Sequence, residues 1–168
     1  SDSDTDSEVT LELLTAEEKD ALGEIGNISM GTAATTLFTL LGQKVTITTP
    51  RVSETTIKNL LGDFEDPFVT IKIQYKVGIK GLNLLIIGER DVKIITDLMM
   101  GGDGTNIADE LTDLHLSAIG EAMNQMIGSS STSLSEMLGQ KIDISPPEAI
   151  SQDLDNISEE DLGISFDE

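Results

Sequence analysis

Asp20-Ala21-Leu22-Gly23-Glu24-Ile25-Gly26-Asn27 is written a second time as Ser117-Ala118-Ile119-Gly120-Glu121-Ala122-Met123-Asn124. One constant offset of 97 residues joins the two copies. It also carries Pro50 onto Pro147 and Gly42-Gln43-Lys44 onto Gly139-Gln140-Lys141. Of the 37 positions from 14 to 50, 15 are identical to their counterparts from 111 to 147. Self-similarity at a fixed offset marks a duplicated structural unit. The expectation is therefore two related halves, each bearing one glutamate and one asparagine at the same spacing.

Around each copy the signals are helical. Thr15-Ala16-Glu17-Glu18 is a capping box, so a helix starts at Thr15. Apolar residues at helical spacing carry it to about Leu41, and Gly42 stops it. Thr112 opens the second long helix, which runs to about Leu138 and ends at Gly139. Residues 45–52 alternate and are β-rich, which predicts a strand, with residues 141–145 as its counterpart. Residues 53–67 read as a loop or short helix. Residues 68–77 alternate cleanly, a turn fits at 78–81, and residues 82–87 return, which makes a β-hairpin. Residues 91–100 form a short helix ended by Gly101-Gly102-Asp103-Gly104.

The domain is expected to span residues 12–147, with repeats at about 14–104 and from 111 to 147 onward. Residues 1–11 are an acidic linker. Residues 148–168 are an acidic segment, poor in β-formers, that leaves the second repeat incomplete. The chain opens on Ser1 and reads as a piece of something longer. The fold class is α/β (α+β): a duplicated domain of pseudo-two-fold symmetry, its long helices packed on one side of a mostly antiparallel sheet.

Charge narrows the functional classes. The chain has 168 residues and a formal net charge of −21. Residues 1–30 and residues 148–168 contribute −8 each, and the middle contributes −5. Acidic ends of this kind are solvated segments. The balance excludes nucleic acid, whose phosphates demand a basic surface. No apolar run reaches the ~18 residues of a membrane helix, so no membrane insertion is expected. Without cysteine there is neither disulfide nor thiolate ligation.

Positions i, i+4 and i+7 share a helix face. Asp20, Glu24 and Asn27 therefore project together, as do Ser117, Glu121 and Asn124. The bland alternative is a solvated helix face; the matched repeat weighs against it. Gly23 and Gly120 each cost about 1 kcal/mol in a helix interior relative to alanine. Their recurrence indicates close approach, by a packing partner or by another protein. His115, the single histidine, falls at a helix start and reads as a surface residue. No Ser–His or Cys–His pair offers a nucleophile, which sets a small-molecule enzyme aside. An amide both donates and accepts, so it can position a water. A carboxylate can pair with a partner lysine.

The pattern Asp/Ser-x3-Glu-x2-Asn-x22-Pro, met at Asp20/Glu24/Asn27/Pro50 and again at Ser117/Glu121/Asn124/Pro147, resembles the signature of the CheC-type phosphatases of bacterial chemotaxis. Residues 99–104, 121–128 and 141–147 are most similar to the flagellar-switch members, whose middle domain is CheC-like. The resemblance implies hydrolysis of the aspartyl phosphate of the response regulator CheY. Asn27 and Asn124 would orient the attacking water, and Glu24 and Glu121 would pair with a lysine beside the phosphoryl group. Asp20 and Ser117 would assist in binding the partner, and Pro50 and Pro147 would be structural. No cofactor of its own is implied; Mg2+ is expected on CheY. Residues Gly101, Gly102, Asp103 and Gly104 are similar to a loop of the switch protein FliM that contacts FliG. That likeness implies FliG, FliM and FliN as further partners, in the cytoplasm at the flagellar basal body. The alternative is a scaffold domain that, like FliM, is catalytically silent.

Overall fold

The computed structural model describes residues 13–63 and 65–152. The expected linker at residues 1–11 lies outside them. Helix α1 spans Ala16–Leu41 and helix α4 spans Asp113–Leu138. Between them lie α2 (Ile57–Gly62), β1 (Phe68–Val77), β2 (Gly81–Gly88) and α3 (Glu89–Met99). β3 (Asp143–Ile144) and β4 (Glu148–Gln152) follow α4. Among the described residues no helix is long and apolar enough to cross a membrane.

The starts of the two long helices use the same device with different side chains. In α1 the Thr15 amide donates to Glu18 Oε2 at 3.0 Å, and the Glu18 amide donates to Thr15 Oγ1 at 3.1 Å. In α4 the Thr112 amide donates to His115 Nδ1 at 3.0 Å, so the imidazole takes the place of the glutamate. His115 is thereby buried, not on the surface as its position at a helix start had implied. Its ring ties down the first turn of α4. Losing an N-cap hydroxyl costs about 1 kcal/mol. Thr15→Ala is accordingly expected to lower the melting temperature by about 2–4 °C, measured by circular dichroism.

The sheet is antiparallel and centred on β1. β2 pairs along one edge of β1, with Phe68 opposite Gly88 and Tyr75 opposite Gly81. β3 and β4 share the other edge, β3 at Tyr75 and Val77, and β4 from Phe68 to Lys72. Val69, Ile71 and Ile73 are fully buried and alternate into the core. There they meet Ile119, Ala122, Met123, Met126 and Ile127 of α4, Val92 of α3, and Ala33 and Leu37 of α1.

Two sequence readings change here. Residues 148–152, expected in an acidic segment poor in β-formers, pair with Phe68–Lys72 of β1 as β4; backbone pairing is indifferent to side-chain acidity. Residues 45–52, expected as a strand, form none. A strand exists only where its backbone pairs with a neighbour, and among the described residues this segment pairs with none. Their counterpart, expected over residues 141–145, is likewise shortened to the two residues of β3.

The helices cross through small residues, Ala33 of α1 and Ser130 of α4 among them. Thr32 Oγ1 lies 2.7 Å from Ser133 Oγ, and Thr36 Oγ1 lies 2.6 Å from Ser129 Oγ. The 97-residue offset turns the first pair into the second, so a pseudo-dyad passes through the crossing. Burial does not follow it. α4 buries ten residues and α1 three. Ile119 is fully buried while its counterpart Leu22 is 45% exposed. The sheet that covers α4 is built on β1, and the offset counterpart of β1 would begin at residue 165, outside the described residues.

Candidate functional site

Two open depressions flank the crossing, and each is built from one helix and one proline segment. In the first, Asp20, Gly23, Glu24 and Asn27 of α1 face Thr49, Pro50 and Val52. In the second, Ser117, Gly120, Glu121 and Asn124 of α4 face Pro146, Pro147, Glu148 and Ala149. The volumes are about 290 Å3 and about 530 Å3. Asp20, Glu24, Asn27, Ser117, Glu121 and Asn124 are all exposed. A helix repeats every 3.6 residues, and that geometry brings each trio onto one face. Pro50 and Pro147 do more than end a segment. Each walls a depression opposite the amide.

The walls are fixed differently. The first is tethered by Glu54, whose Oε1 accepts from the amides of Leu13 at 2.7 Å and Leu14 at 2.9 Å. Glu54 Oε2 lies 3.5 Å from Lys19 Nζ. The second wall leads directly into β4, so strand pairing with β1 holds it. The carboxylates differ too. Gln125 Nε2 donates to Glu121 Oε1 at 2.8 Å. The position matching Gln125 is Ile28, and Glu24 has no such donor. Sequence reasoning missed Lys19, Glu54, Gln125 and Glu148. The same offset that found the trios would have exposed three of these differences, by comparing Lys19 with Leu116, Ile28 with Gln125 and Arg51 with Glu148.

The glycines answer the question of close approach. A methyl at Gly23 would make an ordinary contact with Val52 at 3.7 Å. A methyl at Gly120 would meet nothing within 4 Å. No packing partner within the described chain accounts for Gly120.

Residues Gly101, Gly102, Asp103 and Gly104 line neither depression. They form a turn after α3 organised by Asp97, which the sequence reading did not single out. Asp97 Oδ2 accepts from the Gly104 amide at 2.8 Å, and the Asp97 carbonyl accepts from the Gly102 amide at 2.9 Å. A side chain at Gly102 would collide with the Asp97 carboxylate. The Thr105 hydroxyl and amide donate to Asp103 Oδ1 at 2.6 and 3.0 Å, which holds the Asp103 carboxyl below its ordinary range. The turn is a shaped projection with an ionised tip.

Chemically, each depression offers a carboxylate, a carboxamide and a rigid wall. Neither holds a thiol or an imidazole, and the one amine lining them, Lys19 of the first, is ion-paired with Glu54; among the described residues no group of three His, Cys, Asp or Glu converges as a metal site. Such a set can position a water and grip a cation. The reacting group must come from elsewhere.

The CheC-like family pattern matches residues 17–54 and 114–151, two stretches separated by the same 97-residue offset. The flagellar motor switch phosphatase FliY of Bacillus subtilis (strain 168) is 52% identical over 130 residues. Those residues are 77% of this chain and 34% of that protein, so the chain spans about a third of its relative. The crystal structure of Thermotoga maritima FliY superposes with a TM-score of 0.80 at 51% identity, covering 86% of this chain and 73% of that one. A FliG–FliM complex from H. pylori gives a TM-score of 0.67 at 17% identity, covering 80% and 75%, which is a likeness of fold.

Proposed function

The chain belongs to the CheC-like family, and from that premise we propose that it hydrolyses the aspartyl phosphate of CheY at the flagellar motor switch. The observation that carries this reading is the doubled exposure of Glu and Asn at the mouth of a proline-walled depression. An active site meant for a small substrate encloses it. An open face with no nucleophile fits a partner that brings its own reacting centre.

On this reading CheY docks with its phosphoaspartate against Asn27 or Asn124. The carboxamide accepts a hydrogen bond from a water and donates another, aiming the water's lone pair in line with the phosphorus–aspartate bond. Attack forms the new P–O bond and breaks the old one, releasing phosphate and the aspartate carboxylate. The regulator brings its own Mg2+ for charge neutralisation. Glu24 or Glu121 pairs with a CheY lysine beside the phosphoryl group, which fixes the register of the encounter. Asp20 and Ser117, one turn before the glutamates, add contacts to the docked partner. Catalysis by this chain is thus positioning, the part of phosphoryl transfer that a protein can supply without new covalent chemistry.

A phosphate-release assay with phosphorylated CheY, with and without this chain, tests the activity. Decay at the same rate in both rejects it. The glutamates are tested by their effect on affinity. Truncating one partner of an interfacial charge pair acts mainly on complex formation. Glu24→Ala combined with Glu121→Ala is expected to raise KM for phosphorylated CheY by about tenfold, with kcat changing less. Full rate at normal KM would reject the lysine-pairing role.

A second, compatible role rests on the turn held by Asp97. A projection this well determined, with Asp103 ionised at its tip, suits a rigid contact to another switch protein. FliG, FliM and FliN are the proposed partners, in the cytoplasm at the basal body. If the chain binds them but leaves CheY phosphate untouched, the scaffold reading replaces the enzymatic one.

A further inference from the structure

One residue past each wall proline the two sites carry opposite charge. Arg51 follows Pro50, and Glu148 follows Pro147. Arg51 is exposed and borders a hollow with Thr48, Thr49 and Pro50, next to the first depression, with which that hollow shares Thr49 and Pro50. Glu148 lines the second depression itself. Its nearest cation is Lys72, 3.8 Å away across the β1–β4 pairing, with side chains 31% and 64% exposed for Lys72 and Glu148. So exposed a pair is strongly solvated, and Glu148 still presents its charge to a visitor. The helix lip differs as well. Lys19 lines the first depression where Leu116 lines the second. Glu54 offsets the lysine, and Asp20 on the first lip has Ser117 in its place on the second; the one position where the two sites carry charges of opposite sign is the proline rim.

We propose that Arg51 and Glu148 are specificity-determining residues that give the two sites opposite electrostatic preferences. The first site favours a phosphorylated receiver domain with an acidic residue facing the proline rim. The second favours one with a basic residue there. This inference rests on the phosphatase reading for the identity of the partner. The reactive pair, glutamate and asparagine, is common to both sites, so the rim is where they can diverge without loss of chemistry. Charges at the rim of an interface govern encounter rate and partner choice, and juxtaposed like charges are rejected. A duplicated domain with divergent rims can therefore serve two regulators, or two orientations of one.

The test uses the full chain with one site silenced at a time. Asn124→Ala leaves the first site to be measured, and Asn27→Ala leaves the second. Phosphorylated CheY is the hydrolysis probe; beryllofluoride-activated CheY is the binding probe, read as the change each rim substitution causes, since a site without its amide still docks the regulator. At low ionic strength the two sites are expected to differ in KM by about tenfold. The difference shrinks toward none near 1 M salt, where the screening length is about 3 Å. Adding Arg51→Glu to the first background and Glu148→Arg to the second moves the two affinities in opposite directions and inverts their order. A KM ratio that ignores salt and survives both substitutions overturns the inference while leaving the phosphatase intact. Opposite shifts in binding with no hydrolysis by either site would uphold the rim assignment and reject the phosphatase reading. Absence of both binding and hydrolysis rejects both.

Discussion

Changing Asn27 and Asn124 together to alanine is expected to slow the accelerated decay of CheY phosphate by roughly 100-fold or more. Either change alone should leave the rate of the other site. A water positioned by one amide has no substitute in the depression. The neighbouring carboxylate can accept a hydrogen bond but cannot donate one, and its negative charge beside a phosphoryl group repels the attacking lone pair. Asn→Asp at both positions is therefore expected to be as inactive as alanine, although it preserves size. Folding does not confound the measurement. Both side chains are exposed, and surface substitutions away from caps and networks stay within about 0.5 kcal/mol. Alanine also improves helix propensity. Two independent sites predict a further relation: the rates of the two single variants sum to that of the parent at equal CheY concentration. A double variant as fast as the parent rejects the amide–water role. Singles that each lose everything would mean the sites are coupled rather than parallel.

The helices and the hairpin were legible because their signals are local. Thr15 with Glu18, glycines 42 and 139, and the alternation of residues 68–77 each act within one turn or one strand. The trios followed from helical period alone, and the duplication made them credible. What escaped was non-local. Whether residues 45–52 or 148–152 become a strand depends on which segment the fold lays along a sheet edge, and no composition within either stretch encodes that. His115 was misplaced because Thr112 and His115 imitate a capping box with an imidazole in the glutamate's place. Asp97 organises a turn seven residues away, where spacing carries no periodic signal. The wall role of Pro50 and Pro147 needed the third dimension. They lie 23 residues beyond their asparagines, and only the return of the chain past the helix brings them opposite.

Ile119 and Gly120 are adjacent on α4, and their substitutions are expected to separate stability from function. Ile119 is fully buried against the sheet. Ile119→Ala removes three buried carbons from the layer that holds β1, and such truncations cost about 2–5 kcal/mol. For a domain of this size the melting temperature falls by about 5–15 °C. Its side chain points away from the second depression, so the folded fraction should keep its rate at low temperature. Gly120 behaves in the opposite way. A methyl there meets nothing of its own chain within 4 Å, and replacing glycine within a helix by alanine gains up to about 1 kcal/mol. Gly120→Ala should thus unfold at a higher temperature than the parent. Yet the methyl stands beside Ser117, Glu121 and Asn124, on the surface a docked regulator must approach. Measured in the Asn27→Ala chain, where only the second site acts, it is expected to raise KM for phosphorylated CheY by about tenfold. A Gly120→Ala chain that is both more stable and fully active would mean that the glycine serves neither packing nor partner. The proposed docking face on α4 would then be misplaced. A Gly120→Ala chain that loses stability would instead reveal a packing neighbour for α4, and the close-approach argument would return to the fold.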